Sequence, residues 1–470
     1  MKSKIQWRLT PVLSALSAAA VAKKALPLLI AGCLSAGGFA NLAHGADLMT
    51  VYRDALAYDA QYASARSALE AGREKLPQGR AGLLPTLGVA ASSVWNELDT
   101  TARTKNAGEA SSGYNTNGWT ATLSQPLFRW QNWVAYTQSE LAVAQAEAQF
   151  ELARQDLIVR AVQAYFDVLL AQDLLATAQA QKVAIAEQLE SAKRNFEVGT
   201  ATITDSHEAQ SRYDLTIAQE IAADNDLNVK RQVLRTVIGK EPEGLKNLRP
   251  GVHLASPQPA DINKWVEMAE SASAPVHIYQ ALYEIASREV EKQRAGHYPT
   301  MDLVATRGRN SATNALGAGA VPLGVGYDSN VSTIGVQLSI PIFAGGAVAS
   351  RDREAVALKE KAGTDLENAR RTAALNARQG YLGVTSGLAQ VKAYEAALIS
   401  SQSALDSNKL GYEVGVRINI DVLNAQSQLY DTRQKLAKAR MDTLAALLRL
   451  KAAAGSLGED DVAAVNALLD

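Results

Sequence analysis

Cysteine is almost missing from this chain. Cys33 stands alone in 470 residues, which excludes an internal disulfide and any cysteine-rich metal site. Histidine is scarce too, and the five residues at 44, 207, 253, 277 and 297 share no metal-ligand spacing. Net charge is lacking: 47 basic residues face 48 acidic ones, so the basic surplus that accompanies nucleic-acid binding is not there. Beyond the first 45 residues, no apolar run approaches the ~18 residues that mark a membrane-spanning helix. If the mature chain crosses a membrane, a helix is not the means. No phosphate-cradling glycine loop, nucleophile elbow or other catalytic constellation is recognisable. The expectation is therefore a protein that is not an enzyme and holds no cofactor. Aromatic residues make up 6% and prolines number 13, while alanine is abundant, a composition that favours long helices.

What is present begins with an export signal. Lys2, Lys4 and Arg8, then Lys23 and Lys24, precede an apolar run from Ala25 to Leu34. Ala43-His44-Gly45 has the small-x-small form of a cleavage site, so residues 1–45 read as a signal peptide. A rival reading takes Ile30-Ala31-Gly32-Cys33 as resembling a lipoprotein box and places a lipid on Cys33. Both readings export the mature chain.

The mature sequence is a tandem duplication. Glu197-Val198-Gly199 recurs as Glu413-Val414-Gly415, Asp205 as Asp421, and Ala209-Gln210-Ser211 as Ala425-Gln426-Ser427, at an offset of 216. Arg80-Ala81-Gly82 matches Arg294-Ala295-Gly296 at offset 214, and Leu123-Ser124-Gln125-Pro126-Leu127-Phe128 matches Leu338-Ser339-Ile340-Pro341-Ile342-Phe343 at offset 215. Landmarks in one order with so little drift define a repeat.

The first repeat, 46–239, reads as a helical segment 47–80, strands about 85–98 and 118–128, a long helix 130–197, a hairpin, and a helix 205–239. The second, 262–455, reads as a helical segment 262–296, strands about 299–307 and 331–343, a long helix 345–411, a hairpin, and a helix 421–454. Residues 240–261 form a linker expected to pack outside the helical rod, and 456–470 a C-terminal tail. At 1.5 Å per residue each long helix spans about 100 Å and each short one about 50 Å, so two short helices end to end match one long helix. Ile158, Val162, Tyr165 and Leu169, and Val391, Leu398 and Leu405, have coiled-coil spacing. In each hairpin the first helix ends at glycine, and Asp205 or Asp421 is expected to N-cap the next.

The strands alternate with period two. Leu87, Val89 and Ala91 share a face, as do Trp119, Ala121 and Leu123, Met301, Leu303 and Ala305, and Ile334, Val336 and Leu338. Such alternation builds a half-buried sheet or a membrane barrel wall. Little sequence remains to cover four apolar strand faces, which favours the barrel. Four strands cannot close one, because spanning barrels have at least ~8 and an open edge is not tolerated in lipid. The membrane reading therefore demands an oligomer. The segments Thr100–Thr116 and Arg307–Asn330, rich in small polar residues, read as solvent-exposed loops between the strands.

The hairpins resemble those of the TolC family of outer-membrane channels. The likeness is carried by Phe196-Glu197-Val198-Gly199 with Thr204, Asp205 and Ala209, by Tyr412-Glu413-Val414-Gly415 with Arg417, Asp421, Val422 and Leu423, and by Leu-Ser-x-Pro-(Leu/Ile)-Phe before each long helix. It covers 46–455 and is closest to the type I secretion branch. The resemblance implies a mainly α protomer whose homotrimer forms a twelve-stranded β-barrel in outer-membrane lipid and a twelve-helix α-barrel in the periplasm. It implies a passive channel of a tripartite exporter, with a periplasmic adaptor, an inner-membrane ABC or other transporter, and an exported protein or small molecule as partners. It also implies a latch in which Thr204 and Asp205 of one hairpin face Tyr412 and Arg417 of a neighbour. Asp421 matches an acidic, cation-binding ring at the pore constriction. The family's second acidic position is Asn424 here, which leaves one ring. Protein secretion, multidrug efflux, and a periplasmic coiled-coil adaptor of a different class are the competing readings.

Overall fold

The computed structural model describes residues 46–101, 109–242, 244–249, 251–313 and 325–470. The signal segment, Cys33 and the tips of both strand loops lie outside the described residues. Two helices dominate. Helix α4, Trp130–Glu197, has 68 residues, and α8, Ala347–Glu413, has 67. Neither contains proline, so nothing interrupts the backbone hydrogen-bond ladder over about 100 Å. Each is followed by a hairpin and a returning helix, α5 at Ile203–Ile238 and α9 at Asn419–Ala453. Helix α5 packs on α4, and α9 lies against both α8 and α4.

The helical segments that open each repeat are not single helices as the sequence suggested. The first is α1 (Leu48–Tyr58), α2 (Ala60–Arg73) and α3 (Lys75–Ala81), and the second is α6 (Ile262–Ala272) and α7 (Ala274–Arg294) with one 3-10 turn, Ala295–His297. The breaks have local causes. Asp59 leaves the helical conformation to accept the Tyr62 N–H at 2.7 Å, so α2 starts afresh. Ser273 is extended, and Pro275 sits in the first turn of α7, where its missing N–H costs no hydrogen bond.

These breaks are joints, and the two repeats build them differently. At the first, Arg160 donates to both oxygens of Asp59, at 2.8 and 3.0 Å, and to Asp156 at 2.7 Å. Ser273 stands 214 residues after Asp59, and Asn376 stands 216 after Arg160. The Ser273 hydroxyl is buried with no hydrogen-bond partner. Both residues line a cavity of about 670 Å³ between α4, α7, α8 and α9.

The strands form one antiparallel sheet in the order β1-β2-β3-β4. They are Thr86–Thr101, Glu109–Phe128, Thr300–Ala312 and Tyr327–Ser339. All four reach further into the loops than the sequence suggested, so much of the two loops is strand, and β4 stops short of the expected end, at Ser339. The apolar faces are in register: Leu87 pairs with Leu123, Val89 with Ala121 and Ala91 with Trp119, while Met301 pairs with Leu338 and Ala305 with Ile334. The opposite face carries Thr120, Thr122, Thr306, Thr333 and Gln337. Strands β1 and β4 are left as unpaired edges. Arg129, at the start of α4, clasps Asp302 of β3 at 2.7 and 2.5 Å and ties the sheet to the helices across the repeat boundary.

The main core lies where α1, α4 and α5 meet. It includes Ile158, Val162, Tyr165 and Leu169, each at most 2% exposed. Burying one such side chain contributes about 1.5–3 kcal/mol. The linker and the tail both contribute side chains to this core. Leu245 is buried there, and the Tyr165 hydroxyl donates to the Lys246 carbonyl at 2.7 Å. The tail forms α10, Glu459–Asn466, and its end pairs with the linker through Leu248 and Leu469. The tail packs there because Val462, Val465 and Leu469 are apolar side chains that need cover.

Candidate functional site

Both hairpins fold the same way. Gly199 and Gly415 take φ of +77° and +78°, a conformation L side chains rarely adopt. After each, two successive amides turn back to one carbonyl. Thr200 and Ala201 donate to Asn195, at 2.8 and 3.1 Å, and Val416 and Arg417 donate to Gly411, at 2.9 and 3.0 Å. The turn thus satisfies carbonyls that the ending helix leaves bare.

The returning helices start differently, and here the expected caps need correction. The N-cap of α5 is Thr202, and Asp205 lies three residues in. The two make a capping box: the Asp205 N–H donates to the Thr202 hydroxyl at 3.3 Å, and the Thr202 N–H donates to the Asp205 carboxylate at 2.9 Å. The N-cap of α9 is Ile418, which has no side chain able to cap. Asp421 therefore has no threonine to reciprocate. Its carboxylate lies 3.6 Å from Arg417 Nη1, 35% exposed, in the first turn of α9. There the helix dipole still favours a negative charge.

A polar seam joins the hairpins within one chain. Asn195 donates to the Tyr412 hydroxyl at 2.9 Å. Asn419, 1% exposed, donates to the Asp205 carbonyl at 3.4 Å and accepts from Gln188. Arg212 donates to Asn424 at 3.1 Å. Beneath the seam, Ile185, Leu189, Ala192, Ala209 and Leu423 form a small apolar cluster. Of the residues singled out in the sequence, Tyr412 and Asn424 take partners on the first hairpin, and Arg417 takes Asp421 on its own. The Asp205 carboxylate is engaged by Thr202, and Thr204 sits beside it in the first turn of α5. Asn195, Gln188, Arg212 and Asn419 escaped the sequence reading. Amides have no periodicity to betray them, and Asn195 and Tyr412 stand 217 residues apart. Among the described residues no group of three acidic, histidine or cysteine side chains could hold a metal within one chain. No described helix is long and apolar enough to cross a membrane.

The sheet, the paired long helices and the twin hairpins have close parallels. The outer membrane efflux protein family model matches residues 51–240 and 270–456, one stretch per repeat. The chain belongs to that family. It is 32% identical to Outer membrane protein TolC of Escherichia coli, covering 94% of this chain and 89% of that protein. It is 30% identical to the Proteases secretion protein PrtF of Dickeya chrysanthemi, covering 94% of each. Among solved structures, the outer membrane protein VceC from Vibrio cholerae superimposes with a TM-score of 0.72 at 19% identity, covering 87% of this chain and 96% of that one. The protein is a TolC-like outer-membrane channel, with its strands in the membrane and its long helices in the periplasm.

Proposed function

We propose that three copies of the chain close one barrel and one helical tunnel. The tunnel gives passive passage from periplasm to outside to a substrate that an inner-membrane transporter and a periplasmic adaptor deliver. The observation that carries this reading is the four-stranded sheet with two bare edges, apolar on one face and polar on the other. In lipid those edges need partners, and further copies of the same sheet supply them. Mass measurement of the detergent-solubilised protein is expected to give a stable trimer, and a stable monomer would refute the reading.

Type I protein secretion is the assignment we favour, because a protease secretion protein aligns with this chain over 94% of each sequence. Small-molecule efflux is the second reading, supported by the efflux family match. Deleting the gene separates them: one outcome is loss of a protein from the culture supernatant, the other is drug sensitivity with an unchanged supernatant.

The hairpins serve as the gate at the far end of the tunnel. Arg417 is a fixed cation with a planar donor fork, and in the trimer it and Tyr412 face Thr204 and Asp205 of a neighbouring hairpin. One exposed pair contributes only about 0–1 kcal/mol, so three of them hold a shut state that a docking adaptor opens by a small difference in affinity. Asp421 supplies the ring at the constriction, with Asn424 as its uncharged neighbour. Arg417→Ser combined with Tyr412→Phe is expected to raise single-channel conductance in planar bilayers. An unchanged conductance would dispose of the latch.

A further inference from the structure

The apolar face of the sheet does not stay apolar to its far end. The row Leu87–Leu123–Ala305–Ile334 is apolar on all four strands. The next row away from the helices is Val89–Ala121–Arg307–Ser332, and the one after is Ala91–Trp119–Arg309–Asn330. On β3 and β4 the wall thus turns polar where β1 and β2 are still apolar. Barrel strands tilt by about 35–45°, so the level at which hydrocarbon gives way to headgroups crosses the sheet obliquely, as this boundary does.

Two guanidinium groups emerge at that boundary. Arg307 and Arg309 are both exposed and share the face of β3 that carries Leu303 and Ala305. Alternate residues on a strand lie about 7 Å apart. Arg309 donates to Asp328 of β4 at 3.1 Å, an ion pair 54% exposed at both ends. Asp328 is the only carboxylate on this face of β3 and β4; further out, β1 adds Glu97 and Asp99 and β2 adds Glu109. Arg307 has no ion-pair partner among the described residues, so the patch keeps a net positive charge. Trp119 flanks Arg309 across the strand pair and is 43% exposed. The earlier repeat has Ser93 and Trp95 at the matching positions, 214 residues before, so the cationic pair belongs to one repeat and is not a product of the duplication.

We propose that this part of the outer wall binds the phosphate of an anionic lipid in the outer leaflet. Arg307 and Arg309 are its ligands, and Trp119 packs at the level where acyl chains meet headgroups. Guanidinium forks match phosphate oxygens two at a time, and tryptophan favours that interface. The patch opens away from the barrel interior at the edge of the apolar band. A phosphate held there by its own acyl chains meets it, whereas a free anion would have to leave water. The inference rests on the barrel reading of the sheet.

The test is native mass spectrometry of the whole purified protein with three probes: lipid A bearing its phosphates, the same lipid with the phosphates removed, and inorganic phosphate. The native protein is expected to retain the phosphorylated lipid and not the dephosphorylated one. Arg307→Gln with Arg309→Gln is expected to weaken that retention by about tenfold or more, while Arg307→Lys with Arg309→Lys, which keeps the charge and loses the fork, falls between the two. Equal retention of the two lipids, or no change in the double glutamine variant, would overturn the site. Displacement of the lipid by millimolar inorganic phosphate would show an anion site without a lipid requirement and overturn the lipid assignment. The same spectra report subunit number, so a monomer would count against the barrel and a lipid-free trimer against the site alone.

Discussion

The two joints between short helices occupy matching places in the two repeats and are held by different means. At Asp59 a carboxylate only 5% exposed caps α2 and receives both terminal nitrogens of Arg160. At Ser273 the cap makes no side-chain bond, the hydroxyl is orphaned, and a cavity lies beside it. The hairpins repeat the contrast. Thr202 and Asp205 lock the first in a capping box, whereas Ile418 leaves the second uncapped and Asp421 beside Arg417. Duplication gave the chain two copies of each device, and in both cases the first repeat keeps the charge-assisted version. The second repeat carries Tyr412, Arg417 and Asp421. For the proposed gate this difference makes the second hairpin the one to move, since a moving element must be drawn from structure that is inexpensive to rearrange.

Breaking the first joint is expected to have the largest effect. Arg160→Met strands a buried carboxylate and should destabilise the protein by about 3 kcal/mol or more, read as a lowered midpoint of thermal unfolding. Asn376→Ala at the matching place should cost far less. The joint also carries a pH dependence. The hydrogen bonds from Arg160 hold the Asp59 carboxyl below its ordinary range, against the opposing effect of burial. A depressed acid stabilises the fold above its unfolded pKa, near 4, and that contribution is lost as pH falls through the lower folded value. Native protein should therefore lose stability below about pH 4 by an increment that Arg160→Met does not show.

The two faces of the sheet offer the next contrast. Leu338→Arg puts a cation on the apolar face and is expected to hinder assembly, at a cost of about 2–4 kcal/mol near the bilayer midplane. Gln337→Arg, on the polar face one residue away, should assemble normally. A lower yield of folded oligomer from Gln337→Arg than from Leu338→Arg would show that the faces are assigned the wrong way round, and equal yields that neither face is set apart by lipid.

Most of this architecture was legible in the sequence because it rests on periodicity. Alternation set the strand register, since a slip of one residue would turn Leu123 and Ala305 to the polar face. The absence of proline set the length of α4. What could not be read depends on single residues and distant pairs. Asp205 and Asp421 look alike in sequence, and only the residue three places earlier, Thr202 or Ile418, decides whether a capping box forms. The C-terminal tail is too short for its apolar residues to show what they cover. The seam through Asn195, Asn419 and Asn424 joins helices from different repeats, and such contacts leave no local signal.

The smallest effect concerns the caps themselves. Thr202→Ala should destabilise the start of α5 by about 1 kcal/mol, and hydrogen exchange should quicken at the Asp205 amide. Ile418→Thr offers Asp421 the partner it lacks and should slow exchange at the first turn of α9 by a comparable factor. No change in either helix would mean that caps do not set the difference between the hairpins.

In the proposed gate the second hairpin carries the pore-facing charge while the first serves as its frame. Block of single channels in planar bilayers by a divalent or trivalent cation, added from the periplasmic side, tests it most directly. Asp421→Ala is expected to abolish the block and lower cation selectivity, while Asp205→Ala keeps the block. A block that survives Asp421→Ala, or that disappears with Asp205→Ala, would contradict the claim.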